Sequence, residues 1–320
     1  MTTRRLGRTD IEITPVGLGC WQFAQGSGLV ARYWEAMSAA AIQEVVAAAR
    51  EAGIGWFDTA EAYGKGTSEQ MLSRALQALG VKPGATLIAT KWMPFLRTAR
   101  SIGSTIERRL ECLRPFPIDL HQIHQPASFS SIPSQMKAMA RLVKAHQIRS
   151  VGVSNFSAAQ MEAAHAALAA EGVALASNQV RFNLLDRRIE RNGVLASAKK
   201  LGVTIIAYSP LAQGILSGKF HDDPGAMRKA SGLRRMVGRL GPRMLESTRP
   251  LVEELRAIAR SHGTSLTAVA LAWEIDFHGE TVVVIPGASR PAQVRDAAAA
   301  GGLTLSAREL ARLDELSRPR

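Results

Sequence analysis

Eight short apolar runs, each suited to a buried strand, alternate along the chain with stretches of helical periodicity. The runs lie near Val16–Leu18, Trp56–Asp58, Leu87–Thr90, Ile118–Ile123, Ser150–Val153, Ala176–Val180, Val203–Ala207 and Thr281–Ile285. Between them, apolar residues recur three and four apart, as in Ile42, Val45, Val46 and Ala49, or Met71, Leu72, Ala75, Leu76 and Leu79. Thr67 with Gln70 and Ser157 with Gln160 fit capping boxes, while Gly53 and Gly80 suit helix ends. Strands joined through helices run parallel, and eight such units predict closure. The expected fold is therefore α/β, a (β/α)8 (TIM) barrel occupying residues 1–320 as one domain. No sequence period accompanies the units, which argues against a solenoid.

Two pieces fall outside the eight units. Arg4-Arg5-Leu6, the turn Gly7-Arg8-Thr9-Asp10 and Ile11-Glu12-Ile13 predict an N-terminal hairpin, placed to plug one end of the barrel. The long span between the seventh and eighth strands predicts extra helices near Thr248–Ser261 and Leu266–Ile275. A last amphipathic helix is expected from Ser306, with Glu309 closing its cap and Leu310, Leu313 and Leu316 on one face.

The chain starts without an apolar signal core and has no run of membrane-span length, so a cytoplasmic protein with no membrane insertion is expected. Cys20 and Cys112 supply neither a disulfide framework nor a metal cage and read as reduced core thiols. The net charge of +13 is concentrated: residues 226–249 hold Arg228, Lys229, Arg234, Arg235, Arg239, Arg243 and Arg249 against Glu246 alone. The segment lacks interleaved aromatics and any reading motif, so nucleic acid is not an expected partner. It reads as a basic loop beside an anionic cofactor or substrate, with a merely solvated loop as the plainer alternative.

Four polar residues stand at or just beyond strand ends. Asp58 closes Trp56-Phe57-Asp58, Lys91 follows Leu87-Ile88-Ala89-Thr90, His124 follows Leu120-His121-Gln122-Ile123, and Tyr63 lies in the turn Glu61-Ala62-Tyr63-Gly64. In a parallel barrel all four reach one rim, the end that carries chemistry. Tyrosine is a poor acid at neutral pH, and a nearby ammonium favours its phenolate. Lys91 takes that role, Asp58 holds Lys91 charged, and His124 orients a substrate carbonyl. His121 lies three residues before His124 and so faces the other side of the strand, which excludes a metal pair.

The stretch Gly55-Trp56-Phe57-Asp58-Thr59-Ala60-Glu61-Ala62-Tyr63-Gly64 resembles the signature of the aldo-keto reductases. The likeness continues through Gly152-Val153-Ser154-Asn155-Phe156, Asn178-Gln179-Val180 and Ala207-Tyr208-Ser209-Pro210-Leu211-Ala212-Gln213-Gly214, then Ser217-Gly218-Lys219. It covers essentially the whole chain and is closest to the bacterial, plant and potassium-channel β-subunit branch. The resemblance implies a barrel that binds NADPH in extended form without a Rossmann domain, with NADH as the alternative cofactor and no metal. The chain has no Gly-x-Gly-x-x-Gly between strand and helix, in agreement.

By the same resemblance, Ser154, Asn155 and Gln179 hold the nicotinamide carboxamide, Tyr208 stacks on its ring, and Trp21 approaches from the first strand. Ser209, Pro210, Leu211, Gln213 and Lys219 line the pyrophosphate channel. Gly287, Ser289, Arg290 and Gln293 form the 2′-phosphate end, where an arginine and a helix N-terminus suit a phosphate. Where the family continues with Glu-Asn, contacting the adenosine, this chain has Asp296-Ala297; Asp296 keeps that contact by substitution and Ala297 cannot, which leaves the preference for NADPH over NADH open.

These features predict an oxidoreductase that reduces aldehydes or ketones, with Tyr63 as proton donor and a small-molecule carbonyl compound as substrate. The alternative is an NADPH-sensing regulatory subunit of a larger assembly. Substrate contacts are expected from residues 22–36 with Phe23, Tyr33 and Trp34, residues 92–100 with Trp92 and Phe95, residues 126–133, and residues 212–247. The aromatics point to an apolar carbonyl compound and the basic loop to an acidic one. The sequence does not fix the oligomeric state.

Overall fold

A computed structural model describes residues 1–24, 36–223, 225–226 and 241–318. Its ten strands are β1 (Arg4–Arg5), β2 (Glu12–Ile13), β3 (Leu18–Gly19), β4 (Trp56–Asp58), β5 (Leu87–Trp92), β6 (Leu120–Ile123), β7 (Ser150–Ser154), β8 (Leu175–Arg181), β9 (Thr204–Tyr208) and β10 (Val282–Ile285). Strands β3 to β10 form one parallel sheet in sequence order. Parallel bridges Val16–Val284 and Gly19–Gly287 join its first and last strands, so the sheet closes into a barrel. The helices between strands are α1 (Ala39–Glu51), α2 (Thr67–Ala78), α3 (Arg100–Leu113), α4 (Ile132–Lys144), α5 (Ala158–Ala169) and α6 (Val194–Leu201). After β9 come α7 (Pro242–Ser261) and α8 (Leu266–Asp276), and after β10 come α9 (Pro291–Ala299) and α10 (Ala307–Ser317).

Alternation along each strand sorts the apolar residues into two cores. Residues facing the helices form the large one, from Phe57 and Ile88 to Ile205 and Val284. Residues facing inward form the small one: Trp56, Ala89, Leu120, Ile206 and Val283, joined by Leu6, Ile11 and Ile13. The antiparallel hairpin β1–β2 thus plugs the barrel with three aliphatic side chains, each contributing about 1.5–3 kcal/mol by burial. Gly7, at the hairpin turn, has φ +58°, and a Cβ there would stand 2.4 Å from the Ala176 carbonyl oxygen, so only glycine seats the plug this deeply.

The helix ends depart from the sequence reading in two places, at Thr67 and at the start of α7. Ser157 and Gln160 form the predicted capping box, as do Ser306 and Glu309. Thr67 and Gln70 do not: Thr67 is already helical, and the N-cap is Gly66 at φ 96°. The Thr67 hydroxyl instead donates to the Gly64 carbonyl at 2.7 Å, tightening the turn that carries Tyr63. Helix α7 begins at Pro242, a residue suited to a helix's first turn, and continues through Pro250. No helix among the described residues is long and apolar enough to cross a membrane.

Helix α8 is buried on all sides from Thr267 to Ile275, and Glu274 within it is fully buried, with no hydrogen-bond partner for either carboxyl oxygen. Burial pushes its pKa well above the ordinary carboxylate range. The folded pKa is raised over the unfolded one, so the acid costs nothing extra below the unfolded value, and its penalty grows as pH rises towards the folded value. Replacing Glu274 by leucine is expected to stabilise the fold by about 1–3 kcal/mol, the cost of an unmet buried polar group. Denaturant midpoints should show a larger gain at pH 8 than at pH 5; a loss of stability at pH 8 would contradict this.

Candidate active site

Asp58 ends β4, Lys91 lies near the end of β5 and His124 directly follows β6, so the staggered register brings the three to the same end of the barrel. Lys91 is fully buried, and its ammonium pairs with Asp58 Oδ1 and donates to the Thr59 carbonyl at 2.8 Å. The second oxygen of Asp58 accepts from Gln122 Nε2 at 3.1 Å and Gln179 Nε2 at 2.9 Å. Lys91 Nζ stands 5.1 Å from the centre of the Tyr63 ring. Tyr63 packs edge-on against His124 at 5.7 Å between centroids and lies 6.3 Å from the Trp21 ring.

The electrostatics follow from depth. Burial alone would lower the Lys91 pKa; Asp58 and then Tyr63 outweigh it, and the ammonium ends above its ordinary value. Burial raises the Tyr63 phenol, and the lowering by Lys91 does not cancel it. Lys91 acts in the expected direction, but desolvation outweighs it, and the group rests as a neutral acid. His124 is pushed down to about 3, first by burial and then by Lys91, so its imidazole is neutral. His121 faces the helices on the opposite side of β6 and is pushed down to about 4, mainly by burial. Among the described residues no cluster of His, Cys, Asp or Glu could hold a metal, and both cysteines are buried and free.

The remaining sequence candidates line the same rim. The Ser154 hydroxyl donates to the Gln179 carbonyl at 2.9 Å, and Asn155 (φ 60°) donates to the Ser154 hydroxyl at 3.1 Å. The Tyr208 hydroxyl donates to Asn155 Oδ1 at 3.0 Å. After β9 the chain turns sharply, with Ser209, Ala212 and Gln213 at positive φ. Backbone strain of this kind clusters at ligand-gripping segments. Gln213 Nε2 donates to the Ser209 hydroxyl at 3.2 Å, Pro210 is buried and Leu211 is half-buried. Lys219 lies one turn on, its ammonium 4.8 Å from the Phe220 ring. After β10, Gly287 and Ser289 are exposed, Gln293 accepts from the Ser289 backbone N–H at 2.9 Å, and exposed Arg290 is the N-cap of α9. Asp296 is half-buried, whereas Ala297 is packed into the large core.

Gln122 is a rim residue that sequence reasoning missed. Its signal was its place two residues before His124, which puts both on the inward face. Two expected substrate contacts are instead core. Phe23 is fully buried, and Trp92, one residue past Lys91, faces the helices and donates to the Ser101 hydroxyl at 3.1 Å. Phe95 is 65% exposed on the loop after β5, and Phe129 is 72% exposed on the loop after β6. Tyr33 and Trp34, with Arg228, Lys229, Arg234, Arg235 and Arg239, lie outside the described residues.

The sequence profile described as the Aldo/keto reductase family matches residues 15–318. An uncharacterised oxidoreductase of Mycobacterium tuberculosis (strain ATCC 25618 / H37Rv) is 35% identical over 310 residues, covering 96% of this chain and 90% of its own length. Among solved structures, a thermostable aldo-keto reductase, Tm1743, crystallised with the inhibitor epalrestat, superposes with a TM-score of 0.78 at 29% identity, covering 99% of this chain and all of its own. An aldo/keto reductase from Klebsiella pneumoniae in complex with NADP and acetate superposes at 0.75 with 25% identity, covering 100% of this chain and 97% of its own.

The neutrality of His121 and His124 is directly measurable. Of the seven histidines, His121 and His124 should show no ring-proton titration between about pH 5 and pH 9, because both are held well below the ordinary 6.5. An inflection near neutrality that vanishes in His124→Gln would refute the assignment.

Proposed function

Because this chain belongs to the aldo/keto reductase family, we propose that it reduces an aldehyde or ketone with NADPH, Tyr63 supplying the proton. It is an NAD(P)H-dependent oxidoreductase of the (β/α)8 class. The observation that carries the finer reading is the buried Lys91–Asp58 pair beside the Tyr63 phenol.

The residues present fit the dinucleotide. Ser154, Asn155 and Gln179 offer hydroxyl and amide groups suited to a carboxamide, and Tyr208 offers a half-buried ring for stacking. Ser289, Arg290 and the N-terminus of α9 offer the donors and positive charge that a 2′-phosphate needs. When bound, NADPH would supply the hydride for the carbonyl carbon.

The chain's own residues manage the other half of the reaction. As charge develops on the carbonyl oxygen, the Tyr63 hydroxyl donates its proton to it. The phenolate left behind sits beside the Lys91 ammonium, which stabilises that charge. Asp58 keeps Lys91 protonated, and Gln122 and Gln179 hold Asp58 in place. Neutral His124 gives a ring N–H to the same oxygen, orienting the substrate without competing for its proton. The raised pKa of Tyr63 keeps the donor loaded at neutral pH.

Tyr63→Phe is expected to lower the rate of carbonyl reduction by about 10²–10⁴-fold, the range for loss of a positioned proton donor. NADPH affinity, read from tyrosine and tryptophan fluorescence quenching, should stay within about threefold, far below the tenfold that 1.4 kcal/mol represents. A purified Tyr63→Phe enzyme that oxidises NADPH at the wild-type rate with a panel of aldehydes and ketones would sink the proposal. Arg290→Ala should weaken binding of NADPH and leave NADH unchanged, since only NADPH carries the 2′-phosphate; equal weakening of both would remove Arg290 from that role.

A further inference from the structure

The proton-transfer cluster does not use Glu69, a fully buried carboxylate in the first turn of α2. Its Oε1 accepts from the Thr90 hydroxyl at 2.6 Å, and Thr90 is the residue before Lys91. Its Oε2 lies 2.8 Å from Nη1 of Arg109, itself only 5% exposed on α3. The same Nη1 stands 3.9 Å from Glu61 Oε2. Glu61 is held in turn by Arg97 and by the Met93 backbone N–H, and its own N–H donates to the Lys91 carbonyl at 3.2 Å. Two residues after Glu61 comes Tyr63, whose carbonyl accepts from the N–H of Ser68, the residue before Glu69, at 3.1 Å. The two carboxylates therefore bracket the Tyr63 turn, and a single guanidinium answers to both.

We infer that Glu69 is a positioning residue whose negative charge holds Arg109 away from Glu61 and so fixes the turn that presents Tyr63 to Lys91 and His124. The inference rests on the reading of Tyr63 as proton donor and adds a control on that residue's placement. When Glu69 is neutral, Arg109 loses its nearer counter-charge and is drawn to Glu61, where it competes with Arg97 and the Met93 N–H. The competition is transmitted over two residues to Tyr63.

Burial, partly offset by charged neighbours, puts the change in a physiological range. Burial raises the Glu69 pKa to about 7, against lowering by Arg109, Thr90 and Lys91, with Glu61 adding to the rise. The groups around it are Arg108, Arg109 and Cys112 on α3, Glu61 on the turn, Lys91 on β5 and His121 on β6. Cys112 is pushed up by burial and His121 down to about 4, so neither shares the window of Glu69. Above neutrality the pair with Arg109 is intact; below it the carboxyl is protonated and the clamp relaxes.

The test compares wild type with Glu69→Gln, which keeps a hydrogen-bond acceptor for Thr90 and removes the charge. Wild-type kcat should fall between pH 8 and pH 6 with a midpoint near 7, by roughly tenfold, less than the ~100-fold that a 1 Å misplacement can cost. Glu69→Gln should lose that limb and run at the low-pH rate throughout, with NADPH affinity unchanged. A limb near 7 that persists in Glu69→Gln, or a flat wild-type profile, overturns the inference and leaves Tyr63 as the donor. A second readout needs no turnover: the chain has three tyrosines, so labelled ring signals of Tyr63 can be assigned by comparison with Tyr63→Phe. Those signals should shift with a midpoint near pH 7 in wild type and not in Glu69→Gln. Identical titrations in both proteins refute the coupling even if no carbonyl substrate is ever found, an outcome that would instead count against the reductase reading.

Discussion

A cation and an anion taken wholly out of water, Lys91 and Asp58, organise the rim of this barrel. Removing either partner of such a pair leaves an uncompensated buried charge, at about 3–5 kcal/mol. The protein meets that constraint by filling the remaining valences: the Thr59 carbonyl takes one ammonium proton, and Gln122 and Gln179 donate to the free carboxylate oxygen. Five strands of the barrel converge on this one contact, directly or through Ser154 and Gln179, which explains why the inward-facing positions turn polar at this end and are apolar below it.

Depth also sets the chemistry. The same desolvation that makes the ion pair costly raises the Tyr63 phenol and neutralises His124. In the proposed reaction Tyr63 therefore starts as an acid, His124 as a neutral donor and Lys91 as a fixed positive charge. The division of labour follows from burial acting on three group types with different responses: phenol up, imidazole down, paired ammonium held.

Much of this was legible from the chain alone. The alternation of apolar runs gave the barrel because a parallel sheet needs helices between strands, and the hairpin residues Leu6, Ile11 and Ile13 are the plug that their pattern suggested. Asp58, Lys91 and His124 could be placed because strand ends are where a barrel shows polar side chains. What escaped was anything decided by facing or by depth. Trp92 looked like a pocket wall, but its odd offset from Lys91 turns it to the helices. Thr67 matched a capping box by spacing alone, whereas Gly66 can adopt φ 96° and takes the cap. Gln122, Glu69 and Arg109 carried no motif; only contacts between distant segments reveal them. The sign of the Tyr63 shift was likewise hidden, because sequence names the neighbouring cation but not the thickness of protein around it.

The account stands on a charged Lys91 in a site that water does not reach. The most direct measurement is a side-chain nitrogen-15 titration of Lys91, assigned by comparison with Lys91→Met, in wild type and in Asp58→Asn. The wild-type ammonium should stay protonated beyond the ordinary lysine range, and Asp58→Asn should move its deprotonation to lower pH because the largest opposition to burial is then gone. A neutral Lys91 amine at pH 7 in the wild-type protein would contradict the account.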